Sequence, residues 1–173
     1  MFVETWKVSF SQSGEKFELL RLPLSMQSLD ETSLHLPGGA YTTFRTFSGR
    51  KALHLEDHLS RLEQTAEMAG QPVQLDRLAL RSALRSALHE AVMEALDVAD
   101  WRIRLTLDLE VHPGIAYISL TPLKTLPDEA YQKGVHLVTC SLQRQLPKAK
   151  LTRFIVRAGA VRQNMLPGIE EAV

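Results

Sequence analysis

The sequence predicts an α+β fold: an antiparallel sheet carrying two helices, followed by the opening of a second domain. Three observations carry this reading. Apolar residues recur at steps of three and four from Leu55 to Ala69 and again from Leu80 to Leu96, the spacing of one helix face. From Trp101 the period falls to two. Trp101, Ile103, Leu105, Leu107 and Leu109 alternate with Arg102, Arg104, Thr106, Asp108 and Glu110, the pattern of a half-buried strand. Finally, the proline-containing stretch from Pro122 to Asp128 reads as a connector. It divides the chain into a domain at 1–122, a linker at 123–133 and the start of a second domain at 134–173.

Each element has its own signal. Residues 2–10 and 17–24 read as strands around the polar turn Ser11-Gln12-Ser13-Gly14. Residues 25–39 read as a loop ending in the breaker Pro37-Gly38-Gly39. Ala40 to Phe47 is a strand, turned by Ser48-Gly49-Arg50 into Lys51-Ala52-Leu53 as a hairpin. Gly70 and Pro72 stop the first helix, and Asp76 is placed to cap the second. Arg77, Arg81 and Arg85 repeat on that helix away from its apolar stripe and read as a solvated face. His112-Pro113-Gly114 returns the chain into a strand from Ile115 to Thr121. Gly134 to Leu142 reads as a strand and Leu151 to about Met165 as a helix closed by Pro167-Gly168.

Composition narrows the function. Lysine plus arginine equals aspartate plus glutamate at 20 each, so the basic excess of a nucleic-acid binder is missing. No apolar run approaches the ~20 residues of a membrane span. Met1-Phe2-Val3-Glu4 has an acid where a secretory signal carries basic residues, so a cytoplasmic address is expected. The single cysteine, Cys140, excludes a disulfide within the chain and reads as a small buried hydrophobe in an apolar run. No metal site is expected.

Three segments carry chemistry. Lys148 and Lys150 lie in Leu146-Pro147-Lys148-Ala149-Lys150-Leu151-Thr152. An imine-forming lysine needs an amine that can lose its proton, an aldehyde beside it and an anchor for the aldehyde's carrier. By composition alone the two lysines are solvated charges. Arg61 sits in His58-Leu59-Ser60-Arg61-Leu62, at the edge of an apolar stripe, and a guanidinium fork matches phosphate oxygens. Tyr41, Thr42, Thr43 and Arg45 lie on the strand of Gly39-Ala40-Tyr41-Thr42-Thr43-Phe44-Arg45, with hydroxyls able to bond a carboxylate or relay a proton.

In combination and order, these segments resemble the class IV (fold type IV) aminotransferases, over about residues 28–173. That family includes branched-chain and D-amino-acid aminotransferases and aminodeoxychorismate lyase. The resemblance implies the small domain of the D-amino-acid-aminotransferase-like fold and pyridoxal 5'-phosphate as cofactor. It makes Lys150 the lysine of the Schiff base, because Pro147, the helix from Leu151, Gly168 and Glu171-Ala172 follow the family's order. Lys148 is the second choice. Arg61 takes the family's phosphate-gripping place, and His58 is structural. Tyr41, Thr42, Thr43 and Arg45 fall on the substrate-facing strand.

The implied activity is amino transfer between an amino acid and a 2-oxo acid by a homodimer. The subgroup signals are mixed. Thr42-Thr43 is similar to the lyase pattern, which makes 4-amino-4-deoxychorismate lyase an alternative. Arg45-Thr46-Phe47 resembles the branched-chain continuation, whereas Ile155 stands where that group places a tyrosine. Asp108-Leu109 replaces the arginine-glycine pair of D-amino-acid enzymes. The family's ring-nitrogen acid and phosphate loop would follow Val173. The chain therefore reads as the N-terminal portion of such an enzyme, with a non-catalytic fragment or dimerisation module as a further alternative.

Overall fold

Strand alternation sorts the side chains onto two chemically different faces of one sheet. The computed structural model describes residues 2–10, 17–163 and 171–172. Six strands form the sheet: β1 (Glu4–Phe10), β2 (Phe17–Arg21), β3 (Gly39–Phe47), β4 (Lys51–Ala52), β5 (Trp101–Asp108) and β6 (Ala116–Pro122). Their order is β2-β1-β6-β5-β3-β4, with antiparallel neighbours throughout. Register sets Thr43 opposite Arg104 and Arg104 opposite Ser119, while Thr42 faces Leu105 and Leu105 faces Ile118.

One face is apolar. Trp6, Ile103, Leu105, Leu107, Ile118 and Leu120 are fully buried there in a single core. Two amphipathic helices cover it: α2 (Leu55–Met68) over β3, and α3 (Arg77–Glu94) over β1, β2 and β6. Leu59, Leu62 and Ala66 of α2 and Leu80, Ala83 and Ala87 of α3 are the inward residues, as the sequence period requires. Asp76 caps α3 by accepting from the Ala79 amide. The apolar stripe continues in sequence to Leu96, but α3 ends at Glu94 and Leu96 is exposed. Ala95 leaves helical geometry (φ −139°), which turns Leu96 off the inward line.

The other face is polar, with Thr5, Tyr41, Thr43, Arg104, Thr106 and Ser119, and it is not open to water. β5 is buried on both faces from Ile103 onward, where alternation predicts half-burial. Part of the cover is a helix in the stretch expected to be loop, α1 (Leu29–Leu34). Ser28 caps α1 by accepting from the Glu31 amide, and Glu31 reaches back to the Gln27 amide. The arrangement resembles the capping box that Ser28-x-x-Glu31 spells, shifted by one residue because Glu31 meets the amide that precedes the cap.

Beyond β6 the described elements depart from the pattern the sequence suggests. α4 (Asp128–Lys133) occupies part of the expected linker, started by Pro127 and two acids. β7 spans only Leu137–Val138 within the expected 134–142 strand, paired in parallel with β8 (Glu171–Ala172). α5 (Arg153–Gln163) follows Lys150. The turns Ser11 to Gly14 and Pro167-Gly168 lie outside the described residues. Cys140 is half-buried and lines a cleft, in place of the core position its apolar run suggests.

Candidate active site

The segment carrying Lys150 is held as an extra rung on the edge of β3. The Tyr41 amide donates to the Lys150 carbonyl at 2.8 Å, and the Thr152 amide donates to the Gly39 carbonyl at 2.9 Å. The Gly39 amide in turn donates to Thr152 Oγ1 at 2.9 Å. Gly39 makes this bracket possible, since a Cβ there would lie 1.9 Å from the Leu107 carbonyl oxygen of β5. Ala149 and Leu151 are buried on either side of Lys150, and the Lys150 amide reaches Thr65 Oγ1 of α2 at 3.4 Å.

Lys150 is thereby part-buried, its Nζ 5.7 Å from the Tyr41 ring centroid. Burial lowers its pKa from the ordinary lysine value, and the charges of Arg61, Arg144 and Arg104 lower it further. Lys148, two residues earlier, is exposed. The amine borders a cleft of about 460 Å³ between the polar sheet face and α5, whose walls include Tyr41, Thr43, Arg104, Arg144 and Ile155.

The structure distributes the other residues singled out by sequence over four places. Tyr41 and Thr43 line the cleft with Lys150. Thr42 points to the opposite face, where its hydroxyl shares a 2.8 Å hydrogen bond with His58 Nδ1 and is buried. The His58 ring lies 4.8 Å from that of Phe44. Burial, then the charges of Arg61 and Lys150, hold the imidazole pKa below its usual value. Arg45 lies away from the cleft, paired with Asp100 at 3.1 Å and resting over the Phe47 ring. Arg61 is exposed on α2, outside the cleft wall, yet it exerts the largest charge effect on Lys150. Among the described residues no carboxylate pairs with it.

Arg104 was not singled out by sequence and is the most heavily committed group of the site. Its Nε donates to Thr43 Oγ1 at 3.1 Å, Nη1 to the Leu29 carbonyl at 2.7 Å and Ser33 Oγ at 2.8 Å, and Nη2 to Asp30 at 2.8 Å. The guanidinium also lies over the Tyr41 ring, 5.1 Å from its centroid. Burial would raise the Asp30 carboxyl, but hydrogen bonds and charge from Arg104 and Arg162 outweigh it and hold its pKa below the usual range. Arg144, also unremarked in the sequence, rests on the Phe154 ring at 3.9 Å. An arginine on a strand of leucines and threonines is the one trace that Arg104 leaves in the sequence.

The arrangement offers an amine that gives up its proton more readily than an ordinary lysine, a guanidinium near it with no acidic partner among the described residues, and a hydroxyl-lined cleft. Among the described residues no group of histidines, cysteines and carboxylates is placed to hold a metal, and no helix is long and apolar enough to cross a membrane.

Comparison with known proteins points the same way. The family model described as amino-transferase class IV matches residues 39–173. No functionally curated protein matches the chain. Among solved structures, the fold IV-transaminase CpuTA1 from Curtobacterium pusillum aligns over 92% of this chain, at 16% identity and TM-score 0.65. The T.th. branched-chain amino acid aminotransferase with pyridoxamine 5'-phosphate aligns over 100%, at 16% identity and TM-score 0.68. A hypothetical aminotransferase from Mycobacterium tuberculosis, in its PLP-bound form, aligns over 92%, at 22% identity and TM-score 0.59. These likenesses establish the fold. The chain spans 59%, 59% and 58% of the three structures' own lengths.

Proposed function

The chain belongs to the amino-transferase class IV family, and from that premise we propose that it is the pyridoxal-phosphate-binding, lysine-bearing part of an enzyme that moves an amino group between an amino acid and a 2-oxo acid. The observation that carries the reading is Lys150: a part-buried amine of lowered pKa, fixed by backbone bonds on both sides at the mouth of a cleft.

The donor set fits the cofactor. A lysine that sheds its proton more readily than an ordinary one suits an aldehyde, and the exposed fork of Arg61 suits a phosphate dianion. Pyridoxal phosphate, when bound, supplies the aldehyde carbon and the electron-withdrawing ring. The chain supplies the rest. The bracket between Gly39 and Thr152 orients Lys150, and in its neutral form this amine would be the base that takes a proton from a substrate α-carbon. Arg144 gives the cleft a positive wall suited to substrate carboxylates. Tyr41 and Thr43 offer hydroxyls at the same wall. Dimerisation is part of the reading by analogy with the family.

Thr43 on the cleft wall supports a second reading, 4-amino-4-deoxychorismate lyase of the same fold. Lys150 serves either reaction, so the products decide between them. Incubation with pyridoxal phosphate should give the visible absorbance of a lysine-bound cofactor, and Lys150→Ala should lose it while Lys148→Ala keeps it. Retained turnover in Lys150→Ala would overturn the assignment. Absence of any cofactor absorbance in the unaltered chain would favour the non-catalytic module. Pyruvate released without an amino acceptor would select the lyase.

A further inference from the structure

The arginines repeating along α3 read from sequence as a solvated face, but the fold sets them against something the sequence does not show. α2 covers β3 while α3 covers β1, β2 and β6, and between the two helices a groove of about 430 Å³ opens over Ile103 of β5. It lies on the apolar side of the sheet, behind the Lys150 cleft. Its floor is hydrocarbon, with Ala52, Leu55, Leu84, Leu88 and Val92 beside Ile103. Its rim carries guanidinium groups. Arg81 and Arg85 follow one another at a step of four on α3, with His89 a further step on, and Arg50 of the β3–β4 turn lines the same groove. Among the described residues no carboxylate lines it. Arg81 is neutralised by Glu56, which closes that end. Arg50 and Arg85 have no acidic partner among the described residues.

Like charges one helical turn apart destabilise a helix unless something compensates them. A hydrocarbon floor of ligand-pocket size, beneath two uncompensated guanidinium groups, therefore combines apolar surface with an unmet demand for an anion. We infer that this groove binds an amphipathic carboxylate, a molecule with an aliphatic or aromatic body and one anionic head, the body on Leu84, Leu88 and Val92 and the head between Arg50 and Arg85. The site is independent of the cofactor reading, since none of its residues borders the Lys150 cleft.

The test titrates the full chain with octanoate, octanol and octylammonium, followed by calorimetry. Octanoate binds saturably and octylammonium does not. Octanol binds about tenfold more weakly than octanoate, the factor expected when a charge-assisted contact is lost. The Arg50→Gln/Arg85→Gln double variant, both exposed positions, lowers octanoate affinity by a similar factor without altering the circular dichroism spectrum. Ala52→Trp, which fills the groove from the hairpin side, removes binding. Equal affinity for octanoate and octanol, full affinity in the double variant, or no saturable binding would each overturn the proposal.

Discussion

At the scale of single residues, the polar side of the sheet depends on Arg104. Its guanidinium joins α1 to β5; removing it takes a donor from the Leu29 carbonyl and the Ser33 hydroxyl, which keep their bond to each other, and leaves one oxygen of Asp30 without its partner. Arg104→Met is therefore expected to lower stability by about 1–3 kcal/mol, read from urea unfolding. Part of that deficit is charge. Asp30 has a depressed pKa in the fold, so its stabilising contribution is complete above the ordinary value of 3.8 and is lost as pH falls through its lower folded pKa. The deficit should narrow there. His58 has the opposite sign of pH dependence from a paired histidine. Its folded pKa is lowered from 6.5, so on acidification the unfolded chain takes up the proton first. Relative to His58→Asn, the unaltered chain should lose stability as pH falls through about 6.5, measured by the urea midpoint at each pH. An unchanged difference would mean that His58 is solvated like an ordinary imidazole.

The elements show which parts of the fold can be read ahead of the structure. α2 and α3 are legible because an apolar stripe lasting 14 and 18 residues can only be buried on one side. α1 and α4 have six residues each, too few to show a period, and only their starts are written: the cap at Ser28 with Glu31 three residues on, and Pro127 before Asp128. The site divides in the same way. Lys150, Arg61 and the β3 strand are visible as motifs, and alternation places Tyr41 with Thr43 and sends Thr42 to the other face. Arg104 and Arg144 escape notice because nothing local marks them; the Leu29 carbonyl that Arg104 holds lies 75 residues away, beyond any local pattern. The bracket on β3 gives a test at this scale. Gly39→Ala drives a methyl against the Leu107 carbonyl, and overpacking of this kind costs about 1–3 kcal/mol. Hydrogen exchange should show the Thr152 amide, protected in the unaltered chain, becoming exposed in Gly39→Ala.

For the whole molecule, one core unites both ends of the sheet. Trp6 on β1 and Trp101 on β5 are each fully buried in the same cluster. Tryptophan fluorescence and far-ultraviolet circular dichroism should thus report one coincident urea transition. Separated transitions would mean that β1 and β2 come away independently. The bracket that holds Lys150 has a consequence in time as well as in space. Gly39 and Thr152 stand 113 positions apart in the chain. Contacts of such span pay their loop-closure entropy before they return anything, so they form late on the route to the fold. Until then nothing lowers the Lys150 pKa, since the burial and the neighbouring guanidinium groups responsible belong to the fold. The lowered pKa of this amine is thus a property acquired late, when the sheet beneath it is completed.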